Sequence, residues 1–224
     1  MISVIIPTLN DEATLVRTLS GLVPAVVDGL IKEVIIADGG SEDATLEIAD
    51  STGCRIVRTD ANRGLQLWQG CREARGDWLL ILHPDSLLTE GWMSHVEEHI
   101  KRHPLRAGYF RLSFDDPSWF ARLWGEVVAF NSRWLALPTG DHGLLLSRPL
   151  YDAVGGYKER VVYEDLGMDL ALGRARLRAI PAALVTNGER FRRGGWYLSL
   201  VTRFSRLVLY GLGFPPKPPT KKPN

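Results

Sequence analysis

Short apolar runs alternate with helical patterns through the first hundred residues of the chain. Four runs rich in Val, Ile and Leu predict buried strands at residues 2–6, 33–38, 54–57 and 78–82. Helices are predicted after residues 10–12 as far as Pro24, from a cap at Ser41 through Ile48, and over residues 65–74 and 91–102. This alternation predicts an α/β domain with a mostly parallel central sheet flanked by helices.

Beyond residue 102 the pattern is looser. Residues 108–114 and 143–146 predict two strands, residues 119–134 predict an amphipathic helix, and Leu166, Leu170 and Leu172 predict a partly buried helix that begins at Glu164. Neither a repeat nor a linker divides residues 1–195, so we expect one domain there. An amphipathic helix is predicted over residues 196–212, and a disordered or polyproline-like tail over residues 213–224.

Composition and charge narrow the class of protein. A chain of 224 residues with 45% hydrophobic residues can bury a sizeable core, and a net charge of +1 gives no reason to expect nucleic-acid binding. Cys54 and Cys71 are too few for a zinc framework, so a reducing, cytoplasmic location is the default expectation. The N-terminus does not resemble a signal peptide, and no run approaches the length of a membrane span.

Polar residues follow the predicted strands at the point where each one ends. Asp38 and Asp85 close two apolar runs, and Thr8, Asn10 and Glu12 follow the first. Because ligands of open α/β sheets bind beyond the carboxyl ends of the strands, we expect these groups to share one crevice. The first strand is followed by neither a Gly-x-Gly-x-x-Gly dinucleotide motif nor a P-loop.

Several motifs together resemble those of the family 2 glycosyltransferases, most of all small soluble bacterial members. They are Pro7-Thr8-Leu9-Asn10, Asp38-Gly39-Gly40-Ser41-Glu42-Asp43, His83-Pro84-Asp85-Ser86, Gly140-Asp141-His142-Gly143 and Gly155-Gly156-Tyr157 followed by Glu164-Asp165. A further element, from Asn62 to Gly70, resembles the family's Gly-Arg-Ala-x-Gln-x-Asn-x-Gly segment, with Trp68 where an Asn is expected. The resemblance covers roughly residues 1 to 195 and implies a single Rossmann-like GT-A domain.

The resemblance assigns roles to particular positions. It implies that Asp85 binds Mg²⁺ or Mn²⁺ and that Asp165 is the general base; His83 replaces the first acid of the usual metal motif. The nucleotide is expected to contact Pro7, Thr8, Asn10, Glu12, Asp38 and Arg63. Asp141, His142 and Glu164 are expected on the acceptor side, and Arg192 and Arg193, with Arg190, beside the diphosphate.

Each assignment has a structural alternative. Asp38 and Asp85 could be ordinary turn residues, and Asp43 a helix acid of the first turn. Glu12 and Arg63 could be solvated, and the arginines near residue 190 could form one exposed face. The acids that open the helix at Glu164 could simply interact with the helix dipole, and a lone His such as His142 is more often packed than ligating.

The resemblance implies transfer of a sugar from a UDP- or GDP-sugar to an unknown acceptor hydroxyl, with inversion and without a covalent intermediate. Two alternatives stay open: nucleotidyl transfer on a related fold, and a non-catalytic nucleotide-sugar-binding module. The helix over residues 196–212 carries a basic face. Such a helix packs against a core or a second subunit more often than it lies on a membrane, so homodimer formation and peripheral contact with the inner membrane face are both open.

Overall fold

The computed structural model describes residues 1–115, 142–159 and 164–186. These residues belong to one compact unit, Met1–Asn187, which we describe by itself. Its strands are β1 Ile2–Thr8, β2 Ile31–Asp38, β3 Arg55–Arg58, β4 Trp78–Ile81, β5 Leu87–Leu88, β6 Ala107–Phe114, β7 Leu144–Ser147 and β8 Leu177–Thr186. Its helices are α1 Glu12–Val27, α2 Thr45–Ser51, α3 Arg63–Glu73, α4 Trp92–Arg102, α5 Arg148–Ala153 and α6 Glu164–Leu172, with a 3₁₀ turn at Arg174–Arg176.

The strands form one mixed sheet in the order β3-β2-β1-β4-β7-β6-β8-β5. The first four strands run parallel to one another, β7 runs antiparallel to both of its neighbours, and β6 pairs with β8 in parallel. The predicted α/β class is confirmed. The carboxyl ends of β1, β2 and β4 therefore lie at the same edge of the sheet, as expected for a ligand site.

Helices cover both faces of this sheet. Alternation along β1 sends Val4 and Ile6 into the core beneath α1, α2 and α4, whereas Ile5 faces the core beneath α3, α5 and α6. Burial on both faces explains why the parallel strands are almost continuously apolar. The predicted core positions of α1, Leu15, Leu19 and Leu22, are all buried.

Three local predictions were wrong. Helix α1 continues past Pro24 to Val27, because the proline lies in the last turn, where only one intrahelical hydrogen bond is lost, and Ala25 is fully buried. Helix α2 begins at Thr45 instead of following a Ser41 cap. Leu170, one of the three leucines from which a partly buried helix was predicted, is 56% exposed, although the helix itself forms.

The sequence analysis predicted neither strands β5 and β8 nor helix α5. The apolar pattern of β8 is broken by Pro181, and the register of β8 against β6 jumps there from Ile180 to Ala183. This irregularity places the proline, which has no N–H to donate, outside the ladder.

The predicted helices over residues 119–134 and 196–212 and the predicted tail lie outside the described residues. Within the described ranges, no helix is long and apolar enough to cross a membrane.

Candidate active site

The loops after β1 and β2 meet because these strands are parallel neighbours, with Thr8 paired to Asp38. Asp38 is completely buried, and its carboxylate organises the junction. It accepts hydrogen bonds from Thr8 Oγ1 (3.0 Å), from the backbone N–H groups of Gly40 and Ser41 (2.8 Å each) and from Ser41 Oγ. Each carboxylate oxygen thus accepts two donors, an arrangement that favours the loop-organising interpretation of Asp38.

The hydrogen bonds to Asp38 decide its charge. Burial alone raises the pKa of a carboxyl, but the donors of Ser41, Gly40 and Thr8 outweigh it and lower the pKa of Asp38 below its ordinary value. Asp38 is therefore an anion at neutral pH, fixed at the carboxyl end of β2. Its contact with a nucleobase stays a prediction.

Reciprocal hydrogen bonds join the β1–α1 loop to the β2–α2 loop. Asn10 has a positive φ of 59°, its N–H donates to Ser41 Oγ (2.9 Å), and its Oδ1 accepts from the N–H of Glu42 (2.8 Å). The N–H of Glu12 donates to Asp43 Oδ2 (3.1 Å), and Glu12 Oε2 accepts from the N–H of Ala44 (2.8 Å). The residues predicted to contact the nucleoside are thereby brought together in one pre-organised loop pair.

Gln66 supports this loop pair from below, and sequence reasoning missed it. Its side chain is 5% exposed, and Nε2 donates to the carbonyl oxygens of Thr8 and Ala37, both at 2.7 Å. It thus connects α3 to the ends of β1 and β2. The available signal was an amide side chain on the apolar face of a predicted helix, since buried amides are normally hydrogen-bonded.

The segment after β4 forms a tight turn. The N–H of His83 donates to Ser86 Oγ (3.1 Å), and the N–H of Ser86 donates back to the His83 carbonyl (3.2 Å). Asp85, half-buried, accepts a hydrogen bond from Thr186 Oγ1 at the end of β8 (2.8 Å between Oδ2 and Oγ1). The contact joins residues 101 apart in the sequence, so local motif analysis could not find Thr186.

Arg63 connects this turn to the predicted base. One of its terminal nitrogens lies 2.8 Å from His83 Nε2 and 3.5 Å from Asp165 Oδ2. Because a guanidinium only donates, His83 Nε2 must accept, which engages the lone pair that would otherwise bind a metal. The structure therefore brings Arg63, His83 and Asp165 to one place from α3, the β4 turn and α6.

The Gly155-Gly156-Tyr157 motif has a structural explanation. Gly156 has a φ of 58°, and a Cβ at this position would lie 2.7 Å from the Tyr151 ring. The close approach lets the N–H of Tyr157 donate to the Tyr151 hydroxyl (3.0 Å). Tyr157 is thereby buried beside α6, where burial first and the charge of Asp165 second raise its pKa well above the ordinary value.

A second aspartate of α6, Asp169, is 5% exposed. Burial first and the charge of Asp165 second raise the pKa of Asp169 to about 9. It is therefore a neutral carboxylic acid at neutral pH. The sequence analysis assigned no role to it.

The remaining predicted site residues lie in several other parts of the chain. His142 is 2% exposed, its Nδ1 lies 3.0 Å from the Phe110 carbonyl oxygen, and its ring packs edge-on to Tyr109. Since a carbonyl only accepts, Nδ1 carries a proton, and these contacts favour the packed interpretation. Glu164 begins α6, and Pro7 is buried in β1. Asp141, Arg192 and Arg193 lie outside the described residues.

Comparison with known proteins gives the family. A model described as glycosyl transferase family 2 matches residues 3–167. The chain belongs to this family. A glucosyl-3-phosphoglycerate synthase of Mycobacterium tuberculosis is 33% identical over 93 residues, covering 38% of this chain and 28% of the relative. A PGL/p-HBAD biosynthesis glycosyltransferase of Mycobacterium bovis is 29% identical over 205 residues, covering 71% of this chain and 77% of the relative.

Solved structures of family 2 enzymes share the fold. The chain matches S. aureus TarS 1–349 with a TM-score of 0.63 at 17% identity, over 84% of this chain and 60% of that one. It matches the M. tuberculosis glucosyl-3-phosphoglycerate synthase, in complex with Mn²⁺, UDP and glucosyl-3-phosphoglycerate, with a TM-score of 0.54 at 22% identity, over 84% and 70%. The expected GT-A fold is thus confirmed.

Proposed function

We propose that this chain transfers a sugar from a nucleoside-diphosphate donor to an acceptor hydroxyl, with inversion at the anomeric carbon. The contact of Arg63 with both His83 and Asp165 carries the proposal, because it brings the predicted base to the strand-end edge where a donor would bind. Family membership supports the reaction class. The chain spans only 28% of the synthase named above, so the activity of that whole protein is not transferred to this chain.

A uridine diphosphate sugar is the proposed donor. TarS has been crystallised with UDP-GlcNAc, and the M. tuberculosis synthase with Mn²⁺, UDP-glucose and glycerol 3-phosphate. In this chain, the loop pair around Asp38 would present backbone groups and the side chains of Asn10 and Glu12 to the nucleoside. Arg63 would contact the diphosphate, for which a guanidinium is well suited.

Asp85 would hold the divalent cation. Its Oδ2 already accepts from Thr186, which fixes the carboxylate at the edge of the sheet. No three His, Cys, Asp or Glu side chains are arranged to hold a metal within the described parts of the chain. A single carboxylate still fits, since Mg²⁺ is commonly bound through one or two carboxylates, water and substrate phosphates. The cation would neutralise charge on the leaving diphosphate.

Asp165 would act as the general base. It would take the proton of the acceptor hydroxyl as the acceptor oxygen forms its bond to the anomeric carbon. The bond from that carbon to the diphosphate breaks, and the nucleoside diphosphate leaves with the electron pair. The proton then passes from Asp165 to solvent, which restores the carboxylate.

The test is a panel of UDP- and GDP-sugars with Mn²⁺ or Mg²⁺, with the released products measured. Sugar transfer or donor hydrolysis releases a nucleoside diphosphate, nucleotidyl transfer from these donors releases a sugar 1-phosphate, and a binding module releases neither. Asp165→Asn should keep donor affinity and lower turnover by about 10²- to 10⁴-fold. The exposed Asp152→Asn is the matched control. Loss of donor binding in parallel with turnover would make Asp165 a structural acid.

Asp85→Asn tests the metal assignment separately. Because the variant removes the carboxylate charge, calorimetry should show that Mn²⁺ no longer strengthens binding of UDP. Binding of UDP without metal should be unchanged. An unaltered effect of Mn²⁺ in the variant would place the cation elsewhere.

A further inference from the structure

Asp169 is a buried acid that the proposed reaction leaves without a role. It is 5% exposed, and within residues 1–115, 142–159 and 164–186 its carboxyl makes no hydrogen bond or ion pair. Burying a charged carboxylate without partners is very unfavourable, so the group takes its neutral form. A neutral carboxyl carries an O–H donor that needs an acceptor.

Asp165, whose charge acts on Asp169, is a candidate acceptor. The two residues are four apart on α6 and therefore neighbours on one face of the helix. Arg63 forms an ion pair with Asp165 at 3.5 Å and none with Asp169. The guanidinium consequently favours a negative charge on Asp165, whereas burial favours the neutral form of Asp169.

Binding of a donor would change this balance. If Arg63 turns to the diphosphate, as the proposed function requires, Asp165 loses its cationic partner just before it must accept a proton. The O–H of Asp169 is then the donor one helical turn away that can hold the Asp165 carboxylate in place.

We propose that Asp169 is a positioning residue for the general base: it remains a neutral carboxylic acid and donates its O–H to the Asp165 carboxylate when Arg63 engages the donor diphosphate. The inference rests on the proposed function. Asp169 itself exchanges no proton with substrate. It stays protonated through the cycle, while Asp165 takes the proton of the acceptor hydroxyl and returns it to solvent.

The other groups around this part of α6 do not titrate where Asp169 does. In the described parts of the chain they are Tyr157 and, besides the two acids, the groups whose charge acts on it, Arg63 and Cys71. Burial raises the pKa of Cys71 to about 12 and that of Tyr157 well above its ordinary value, and an arginine stays charged. A carboxyl signal with a midpoint near pH 9 can therefore be assigned to Asp169.

The first experiment is carboxyl ¹³C NMR of the aspartate-labelled full chain. Wild type should show one aspartate carboxyl that titrates near pH 9, absent from Asp169→Asn. In Asp165→Asn the midpoint should fall, because the neighbouring like charge is gone. A wild type in which every aspartate titrates in the ordinary carboxylate range overturns the proposal, and so does a midpoint unmoved in Asp165→Asn.

The second experiment separates positioning from packing. Asp169→Asn keeps an N–H donor and should retain kcat within about threefold, whereas Asp169→Leu should lower kcat roughly 10- to 100-fold at unchanged donor KM. Asp152→Asn and Asp152→Leu, at an exposed site on α5, are the matched controls. Full kcat in Asp169→Leu, or equal losses in both Asp169 variants, would overturn the role.

Failure of this inference and failure of the proposed function are distinguishable. If no donor in the panel is turned over by wild type, the proposed function fails, whatever the NMR signals show. If wild type transfers sugar but Asp169 titrates as an ordinary acid, only the positioning role fails. The NMR experiment uses wild type, Asp165→Asn and Asp169→Asn, so it decides even where Asp169→Leu does not fold.

Discussion

Two buried aspartates of this chain have the same side chain, nearly the same burial and opposite electrostatics. Asp38 is 0% exposed and accepts hydrogen bonds from Thr8, Gly40 and Ser41, whereas Asp169 is 5% exposed and has no hydrogen-bond partner in the described parts of the chain. The pKa of Asp38 is lowered, and that of Asp169 is raised to about 9. Burial favours the neutral form of both acids, and at Asp38 the hydrogen-bond donors outweigh it.

The opposite pKa shifts of Asp38 and Asp169 determine how the stability of the fold depends on pH at each acid. Asp38 contributes stability above its ordinary pKa of 3.8, and this is lost as the pH falls through its lowered folded-state pKa. Asp169 binds its proton more tightly in the folded chain than in the unfolded one. Its effect is a loss of stability as the pH rises from 3.8 towards about 9. Ionisation of the carboxyl thus stabilises the fold at Asp38 and destabilises it at Asp169.

Removing the carboxylate of Asp38, which accepts several hydrogen bonds, should change the free energy of unfolding most. Asp38→Ala leaves the hydroxyl of Thr8 and the N–H groups of Gly40 and Ser41 without their acceptor, so we expect a loss of about 3–5 kcal/mol of unfolding free energy. Urea unfolding at neutral pH measures it. Asp50→Ala, an exposed position on α2, is the control and should change stability by less than about 0.5 kcal/mol.

An Asp38→Ala chain that kept wild-type stability yet lost nucleotide binding would reverse our interpretation. Asp38 would then be a ligand contact, and its hydrogen bonds would be incidental. Asp38→Asn sharpens the comparison, because the amide keeps the shape but replaces one acceptor oxygen by a donor facing other donors.

Replacing Asp169, the acid without a hydrogen-bond partner in the described parts of the chain, should raise the free energy of unfolding, and by less than Asp38→Ala lowers it. Asp169→Asn cannot ionise, so its stability advantage over wild type should grow with pH by up to about 1.4 kcal/mol per unit, or about 2.7 kcal/mol between pH 5 and pH 7. Urea unfolding of both proteins at these two pH values measures the difference. Other titrating groups are shared and cancel.

Asp152→Asn provides the baseline for that measurement, since it changes the same atoms at an exposed site on α5. Its stability difference from wild type at the same two pH values is the reference for Asp169→Asn. A pH-independent difference for Asp169→Asn would mean that Asp169 is charged in the folded chain. The contrast with Asp38 would then disappear.

Local patterns predicted β1 to β4 and α1 to α4, because buried parallel strands and amphipathic helices leave short-range signals. Strand β8 was missed because Pro181 interrupts its pattern and its partners lie far away in sequence. Motif analysis likewise identified Arg63 and Asp165 as individual candidates. It could not find Asp169, Gln66 or Thr186, whose importance depends on burial or on contacts that only the folded chain creates.

The smallest expected change in the free energy of unfolding is that of Ser41→Ala, which removes one of the hydrogen bonds to Asp38. Ser41 Oγ donates to Asp38 and accepts from the N–H of Asn10, but Ser41→Ala leaves Asp38 three other donors and an exposed Asn10 N–H that water can satisfy. We therefore expect a loss of about 1 kcal/mol. Ser20→Ala removes a hydroxyl that donates to the Val16 carbonyl on the exposed face of α1, and should be neutral or slightly stabilising because alanine favours helix. Urea unfolding of the two variants, side by side, would contradict the network interpretation if Ser41→Ala were as harmless as Ser20→Ala.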